Sequence, residues 1–183
     1  MKPATEKHRT VLREADLLFT EAQVQASLQH VADQLNEKFS DQYPLLLAVM
    51  GGAVVFAGEL LPRLNFPLEF DYVHVSRYGN AQQGGELSWK VEPTTNVAGR
   101  VILLVDDILD EGETLTAIQK RLLSLGAQQV FTVVFADKQR PRSLPIQADF
   151  VGLQVPDRFV FGYGMDINGA WRNLPAIYAV KES

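Results

Sequence analysis

Val101 to Val105 is an unbroken apolar run, VILLV, that ends on Asp106 and Asp107. A strand without a single polar side chain is buried on both faces, which belongs to a parallel sheet covered by helices on either side. A third carboxylate follows at Asp110, and Gly112 marks a tight turn. Leu115, Ile118, Leu122 and Leu125 then recur at helical spacing, with Gly126 as the stop. Strand, acidic loop, glycine turn and helix start aim backbone N–H groups and a helix dipole at one spot, which suits a phosphate. The carboxylates in front of it suit sugar hydroxyls or a hydrated divalent cation. The alternative is an ordinary polar loop after a buried strand. A backbone grip in acidic surroundings fits a phosphorylated sugar better than a nucleic acid.

The flanking sequence repeats this alternation. Thr20 and Gln23 form a capping box ahead of an apolar stripe, Val24, Leu28, Val31 and Leu35, that runs to about Phe39. Leu45–Val49 reads as a buried strand, Gly51-Gly52 as a tight loop, and Ala53–Leu61 as a helix stopped by Pro62. Further strands are expected at Glu69–Val75, Ser88–Val91, Val130–Ala136, Asp149–Val155 and Phe159–Phe161. Arg77–Leu87 is polar, rich in glycine and without a helical period, and reads as a mobile loop. The fold class expected is α/β, a mainly parallel twisted sheet flanked by helices in one domain. Ligands in such folds sit beyond the carboxyl ends of the strands. Three loops leave apolar strands at that edge: Met50–Gly52, Asp106–Thr114 and Asp137–Arg140.

Several function classes are excluded by composition. The chain has 183 residues and a net charge of -5, which argues against non-specific nucleic-acid binding. It contains no cysteine, so thiolate catalysis, disulfides and Cys-ligated zinc are ruled out. The N-terminus, MKPATEKHRT, lacks the apolar stretch of a signal peptide, and the longest uncharged apolar-rich segment, Leu45–Gly58, is too short to span a bilayer, so a cytoplasmic protein without membrane or nucleic-acid partners is expected. No G-x-x-x-x-G-K-[ST] loop is present, and Gly162 and Gly164 lack the third glycine of a dinucleotide fingerprint.

The run VILLVDDILDEGET (Val101–Thr114) resembles the phosphoribosyl-pyrophosphate signature of the purine phosphoribosyltransferases. VMGGA (Val49–Ala53), SRYGN (Ser76–Asn80) and DFVGLQVPDRFVFGYGMDINGAWRNLP (Asp149–Pro175) extend the likeness over most of the chain from about residue 45. The tail, preceded by Lys138, resembles the hypoxanthine-guanine branch. The resemblance implies a type I phosphoribosyltransferase fold with a core at about 20–152 and a small hood from about 1–19 and 153–183. It implies magnesium-dependent replacement of pyrophosphate on phosphoribosyl pyrophosphate by a 6-oxopurine, and a homodimer or homotetramer.

Roles follow from the same resemblance. Asp106, Asp107, Ile108, Leu109, Asp110, Glu111, Gly112, Glu113 and Thr114 would bind the phosphoribosyl group, with Asp106 and Asp107 on the ribose hydroxyls directly or through magnesium. Asp110 would be the general base or acid at the purine N7. Met50, Gly51, Gly52, Arg77, Tyr78 and Arg172 would meet the pyrophosphate, with Arg77 and Tyr78 on a loop that closes over the reaction. Lys138 would donate to the 6-oxo group, Phe159 would stack on the base, Val160 would read its edge, and Asp166 would help place a second magnesium. In that family the glycine loop holds a non-proline cis peptide, and the matching bond here is Val49–Met50.

Two departures stand out. Met50 replaces a lysine common in the family, and Glu111 and Glu113 put extra negative charge beside the phosphate loop. A phosphoribosyltransferase for another base such as xanthine remains open, as does a non-catalytic regulator on the same fold. The presence of Asp110, Lys138, Asp166 and Arg172 with a negative net charge favours the enzyme.

Overall fold

The computed structural model of the protein describes residues 4–77 and 87–181. Its elements in order are α1 (Ala4–Glu14), β1 (Asp16–Phe19), α2 (Glu21–Phe39), β2 (Leu45–Met50), α3 (Val54–Leu60), β3 (Glu69–Arg77), β4 (Leu87–Val91), β5 (Val101–Leu109), α4 (Glu113–Ser124), β6 (Gln129–Gln139), β7 (Phe150–Pro156), β8 (Val160–Phe161) and β9 (Ile177–Ala179). The expected loop between Arg77 and Leu87 has both ends inside strands, and the rest of it lies outside the described residues.

The main sheet has the order β4-β3-β2-β5-β6-β7, with every pairing parallel except that of β4 with β3. Alternate residues of β2 and β5 feed two cores. Leu46, Ala48, Leu103 and Val105 pack with Val24, Leu28 and Leu35 of α2 and Phe56 of α3. Leu45, Leu47, Ile102 and Leu104 pack instead with Leu115, Ile118 and Leu122 of α4. This two-sided burial is what the apolar runs demanded, because an alternating pattern would leave one face wet. The α2 capping box forms as expected: Gln23 N donates to Thr20 Oγ1 at 3.3 Å, and Thr20 N donates to Gln23 Oε1 at 2.9 Å.

The chain leaves β2 to build β3 on one side and then crosses to place β5 on the other. This reversal opens a crevice beyond the carboxyl ends of β2 and β5, where ligands of open α/β sheets bind. A second, antiparallel sheet of order β1-β9-β8 stands over that edge, drawn from segments far apart in sequence. Arg158 ties it together by donating to Asp16 Oδ2 at 2.6 Å and to the Val180 carbonyl at 2.7 Å.

Three expectations need correction. β5 does not end at Asp106 but pairs with β6 as far as Leu109↔Asp137, so the acidic pair is part of the strand. β6 likewise carries Asp137, Lys138 and Gln139, which the sequence reading assigned to a loop. The cis peptide is Met50–Gly51 rather than Val49–Met50.

Candidate active site

Asp106, buried, and Asp107, half-buried, end the apolar part of β5 side by side, with the Asp107 amide donating to Asp106 Oδ1 at 2.9 Å. Burial, and then the neighbouring Asp107 charge, push the Asp106 carboxyl well above the usual carboxylate range. Burial also raises Asp107, against the pull of its hydrogen bond with Asp106 and the Arg172 charge. Two desolvated carboxylates side by side are unfavourable until something positive or hydrogen-bond-donating reaches them. A cation or a ribose diol would supply that.

Three turns interlock around this pair. A Cβ placed on Gly52 would lie 2.0 Å from Asp107 Oδ2. A Cβ on Gly164, whose φ is +96°, would lie 2.2 Å from the Gly52 carbonyl oxygen. The glycine turn after β2 is therefore clamped between the acidic strand and the C-terminal segment. Gly52 is the residue that needs to lack a side chain for this approach, since nothing lies within 4 Å of a Cβ on Gly51.

Beyond the pair, Gly112 turns the chain into α4 with φ +80°, and Thr116 N donates to its carbonyl at 2.9 Å. The first turn of α4 holds Glu113 and Thr114, and its start borders a cavity of about 220 Å³. That cavity runs from Asp106 along Ile108, Leu109, Asp110 and Glu111 to Thr114. A second cavity, of about 170 Å³, is enclosed by Asp110, Lys138, Phe159, Val160, Met165 and Asp166. The two share Asp107, Ile108 and Asp110, so they are compartments of one site. Phe159 presents a 56% exposed ring to the second compartment, while Val160 beside it is buried in β8.

The polar side chains here pair largely with one another, though Arg140 Nε is buried without a partner among the described residues. Lys138 Nζ, buried at the end of β6, donates to Asp110 Oδ2 at 2.6 Å. Arg140 Nη1 lies 3.1 Å from Asp110 Oδ1 and 2.9 Å from Glu111 Oε1. Arg142 ties down the backbone, donating to the carbonyls of Asp110 at 2.6 Å, Leu109 at 2.9 Å and Lys138 at 2.6 Å, and to the Asp137 carboxylate. Asp166 Oδ1 pairs with Arg172 Nη2 at 2.6 Å, and Arg172 Nη1 donates to the Gly164 carbonyl at 2.6 Å. Arg172 reaches Asp107 only at 4.0 Å.

The structure thus brings together the residues expected from Asp106 to Thr114 and Lys138, Phe159, Val160, Asp166 and Arg172, with the Met50–Gly51–Gly52 turn against Asp107. Arg77 ends β3, but its side chain and all of Tyr78 lie outside the described residues. Among the described residues no group of three or more acidic or histidine side chains is placed to hold a metal ion. Magnesium commonly binds through one or two carboxylates plus substrate phosphates and water, and the Asp106–Asp107 pair offers that donor set. Arg140, Arg142 and Met165 were not singled out from sequence. The Arg-Pro-Arg spacing directly after Lys138 was the available signal.

Comparison with known proteins agrees with this geometry. The phosphoribosyl transferase domain family matches residues 17–168. A hypoxanthine-guanine phosphoribosyltransferase of Bacillus subtilis (strain 168) is 36% identical over 166 residues, which is 90% of this chain and 92% of that protein. A hypoxanthine-guanine-xanthine phosphoribosyltransferase of Tritrichomonas foetus is 32% identical over 168 residues, 91% of this chain and 92% of that protein. The crystal structure of a hypoxanthine-guanine phosphoribosyltransferase from Bacillus anthracis, with a HEPES molecule in the active site, matches with a TM-score of 0.86 at 30% identity, covering 91% of this chain and 98% of that one. On sequence, fold and the arrangement of its acidic strand end, the chain belongs to the phosphoribosyltransferases, on their hypoxanthine-guanine branch.

Proposed function

We propose that this protein is a purine salvage enzyme, transferring the 5-phosphoribosyl group from phosphoribosyl pyrophosphate to hypoxanthine and guanine to give IMP or GMP and pyrophosphate. The observation that carries this reading is the meeting of two compartments at Asp110: a phosphate turn on one side and a slot beside Phe159 on the other. The hypoxanthine-guanine relatives support the same substrates.

The backbone from Asp110 to Thr114 and the Thr114 hydroxyl receive the 5′-phosphate at the start of α4. The Asp106–Asp107 pair receives the ribose hydroxyls, directly or through magnesium. Asp106, Asp107 and Asp166 would hold magnesium, which would neutralise charge growing on the departing pyrophosphate. Arg172 adds a guanidinium to the same task once it leaves Asp166, and the Met50–Gly52 turn offers backbone N–H groups. Phe159 stacks on the purine and Val160 reads its edge through the backbone. Lys138, which has donors only, holds the 6-oxo group and disfavours the 6-amino group of adenine. Asp110 holds or moves the proton at purine N7 as positive charge develops on the sugar. With no base bound, Lys138 and Asp110 hold each other, so the arriving purine exchanges one ion pair for its own contacts. Holding both substrates in line removes much of the entropic barrier, up to about 7–11 kcal/mol in well-oriented systems.

A homodimer or homotetramer fits the surface. Val54 on α3 and Phe70 and Tyr72 on β3 are 47%, 45% and 41% exposed on the side of the sheet that carries α3. The highly charged sugar substrate is confined to the compartment that makes it, which fits a cytoplasmic setting. The deciding assay is magnesium-dependent pyrophosphate release with hypoxanthine, guanine, xanthine and adenine in parallel. Release with the first two and not with adenine is expected. A preference for xanthine, a base named for the Tritrichomonas relative, would move the assignment to that base. No release with any base removes the catalytic reading.

A further inference from the structure

Glu111 sits on the phosphate turn between Asp110 and Gly112, where an anion is poorly placed to welcome a second anion. Its carboxylate does not stand alone. Arg140 Nη1 lies 2.9 Å from Glu111 Oε1, 3.1 Å from Asp110 Oδ1 and 3.7 Å from Asp157 Oδ1. One guanidinium therefore spans the segments that follow β5, β6 and β7, which carry the phosphate turn, the lysine strand and the approach to Phe159. The Arg140 side chain is 29% exposed, less than any of its three partners. All three contacts run from one nitrogen, Nη1, so the guanidinium serves here as a concentrated positive charge.

We propose that Arg140 is a positioning residue for the phosphoribosyl substrate: it cancels the Glu111 charge, so that the turn at Gly112 accepts a phosphate. It also fastens that turn to the wall of the base slot. The inference rests on the reading of this turn as the phosphate site. Arg140 touches no substrate atom, but it donates to Asp110 Oδ1, whose other oxygen is held by Lys138. Its loss leaves Glu111 facing the incoming phosphate and lets the turn move relative to Lys138. Binding of the sugar phosphate suffers more than turnover of the bound substrate. Removing Glu111 instead leaves Arg140 shared by two carboxylates rather than three, so more of its charge reaches the phosphate and the effect runs in the opposite direction.

The test compares Arg140→Gln, Arg140→Lys, Glu111→Ser and the Arg140→Gln/Glu111→Ser double variant. The readouts are kcat, KM for phosphoribosyl pyrophosphate at saturating hypoxanthine, thermal midpoint, and calorimetric binding of ribose 5-phosphate, which needs no turnover. Arg140→Gln is expected to raise KM and weaken ribose 5-phosphate about tenfold, with a smaller fall in kcat. Glu111→Ser is expected to tighten ribose 5-phosphate about threefold, the double variant to return near the parent, and Arg140→Lys to recover most of the loss. Unchanged sugar-phosphate binding in Arg140→Gln, or a double variant as weak as Arg140→Gln alone, overturns the proposal. If Arg140→Gln fails to fold, Glu111→Ser decides by the sign of its effect. If the parent protein makes no IMP or GMP but binds ribose 5-phosphate, the transferase reading fails while the binding comparison still judges Arg140.

Discussion

Gly112→Ala tests the phosphate turn most directly. Gly112 has φ +80°, and a methyl group there would come within 2.2 Å of Ile146 Cγ2 and 3.4 Å of Leu109 Cδ1. Holding an L-residue in the left-handed region costs about 1–2 kcal/mol. Forcing a methyl into an occupied space adds about 1–3 kcal/mol if the neighbour shifts only partly. The two together predict a loss of roughly 2–5 kcal/mol of folding stability. Only the second part depends on Ile146. Gly112→Ala/Ile146→Ala should therefore be less unstable than the sum of the single variants by about 1–3 kcal/mol, keeping the backbone part of the loss. Urea unfolding of the four ligand-free proteins measures the cycle, and KM for phosphoribosyl pyrophosphate should rise in both Gly112 variants. An unfolding midpoint for Gly112→Ala equal to the parent's, or strict additivity in the double variant, would refute the reasoning, because the turn would then be free to relax.

Asp110→Asn should cut kcat for IMP formation by a hundredfold or more, the scale of a lost general acid–base group. Its ribose 5-phosphate affinity should stay within a few fold, and full activity would remove Asp110 from the proton transfer. Lys138→Ala should weaken hypoxanthine by about 1.5–3 kcal/mol, the range for a lost charge-assisted hydrogen bond. An unchanged Michaelis constant for hypoxanthine would place the ammonium elsewhere during catalysis. Asp106→Asn should stabilise the ligand-free protein at pH 7.5 by on the order of 1 kcal/mol, because the folded carboxyl holds its proton more tightly than the unfolded one. A raised folded value penalises the charged form above it, and the penalty fades as pH falls toward the ordinary value of 3.8. The gain in thermal midpoint should thus shrink as pH falls through the raised folded value toward about pH 4 and vanish below it, while phosphoribosyl binding is weakened. A gain that grows on acidification would contradict the assigned shift.

Apolar runs made the main sheet legible. VILLV and LLLAV read as strands buried on both faces, and the Leu115–Ile118–Leu122 spacing predicted α4, because burial leaves a period in the sequence. Charge misled the reading of strand ends. Asp106, Asp107, Asp137 and Lys138 read as loop residues, yet they continue β5 and β6, because side chains at a strand's carboxyl end face a cavity rather than a core. Of the small sheet only β8 was read, within Phe159–Phe161: β1 has four residues and β9 three, too few to show alternation, and their pairing joins distant segments. The site residues carried by a contiguous motif were legible for the same reason as the strand that holds them. Arg140 and Arg142 were not, since their meaning lies in reaching Glu111 and the carbonyls of Leu109 and Asp110 across the sheet edge.

β9 lies between β1 and β8, so the wall carrying Phe159 and Val160 is stitched from an early strand and a late one. On the ribosome, β5, the glycine turn and α4 emerge long before Ile177–Ala179 have been added. The residues proposed to hold the sugar phosphate are therefore translated well ahead of the strand that backs the proposed base slot.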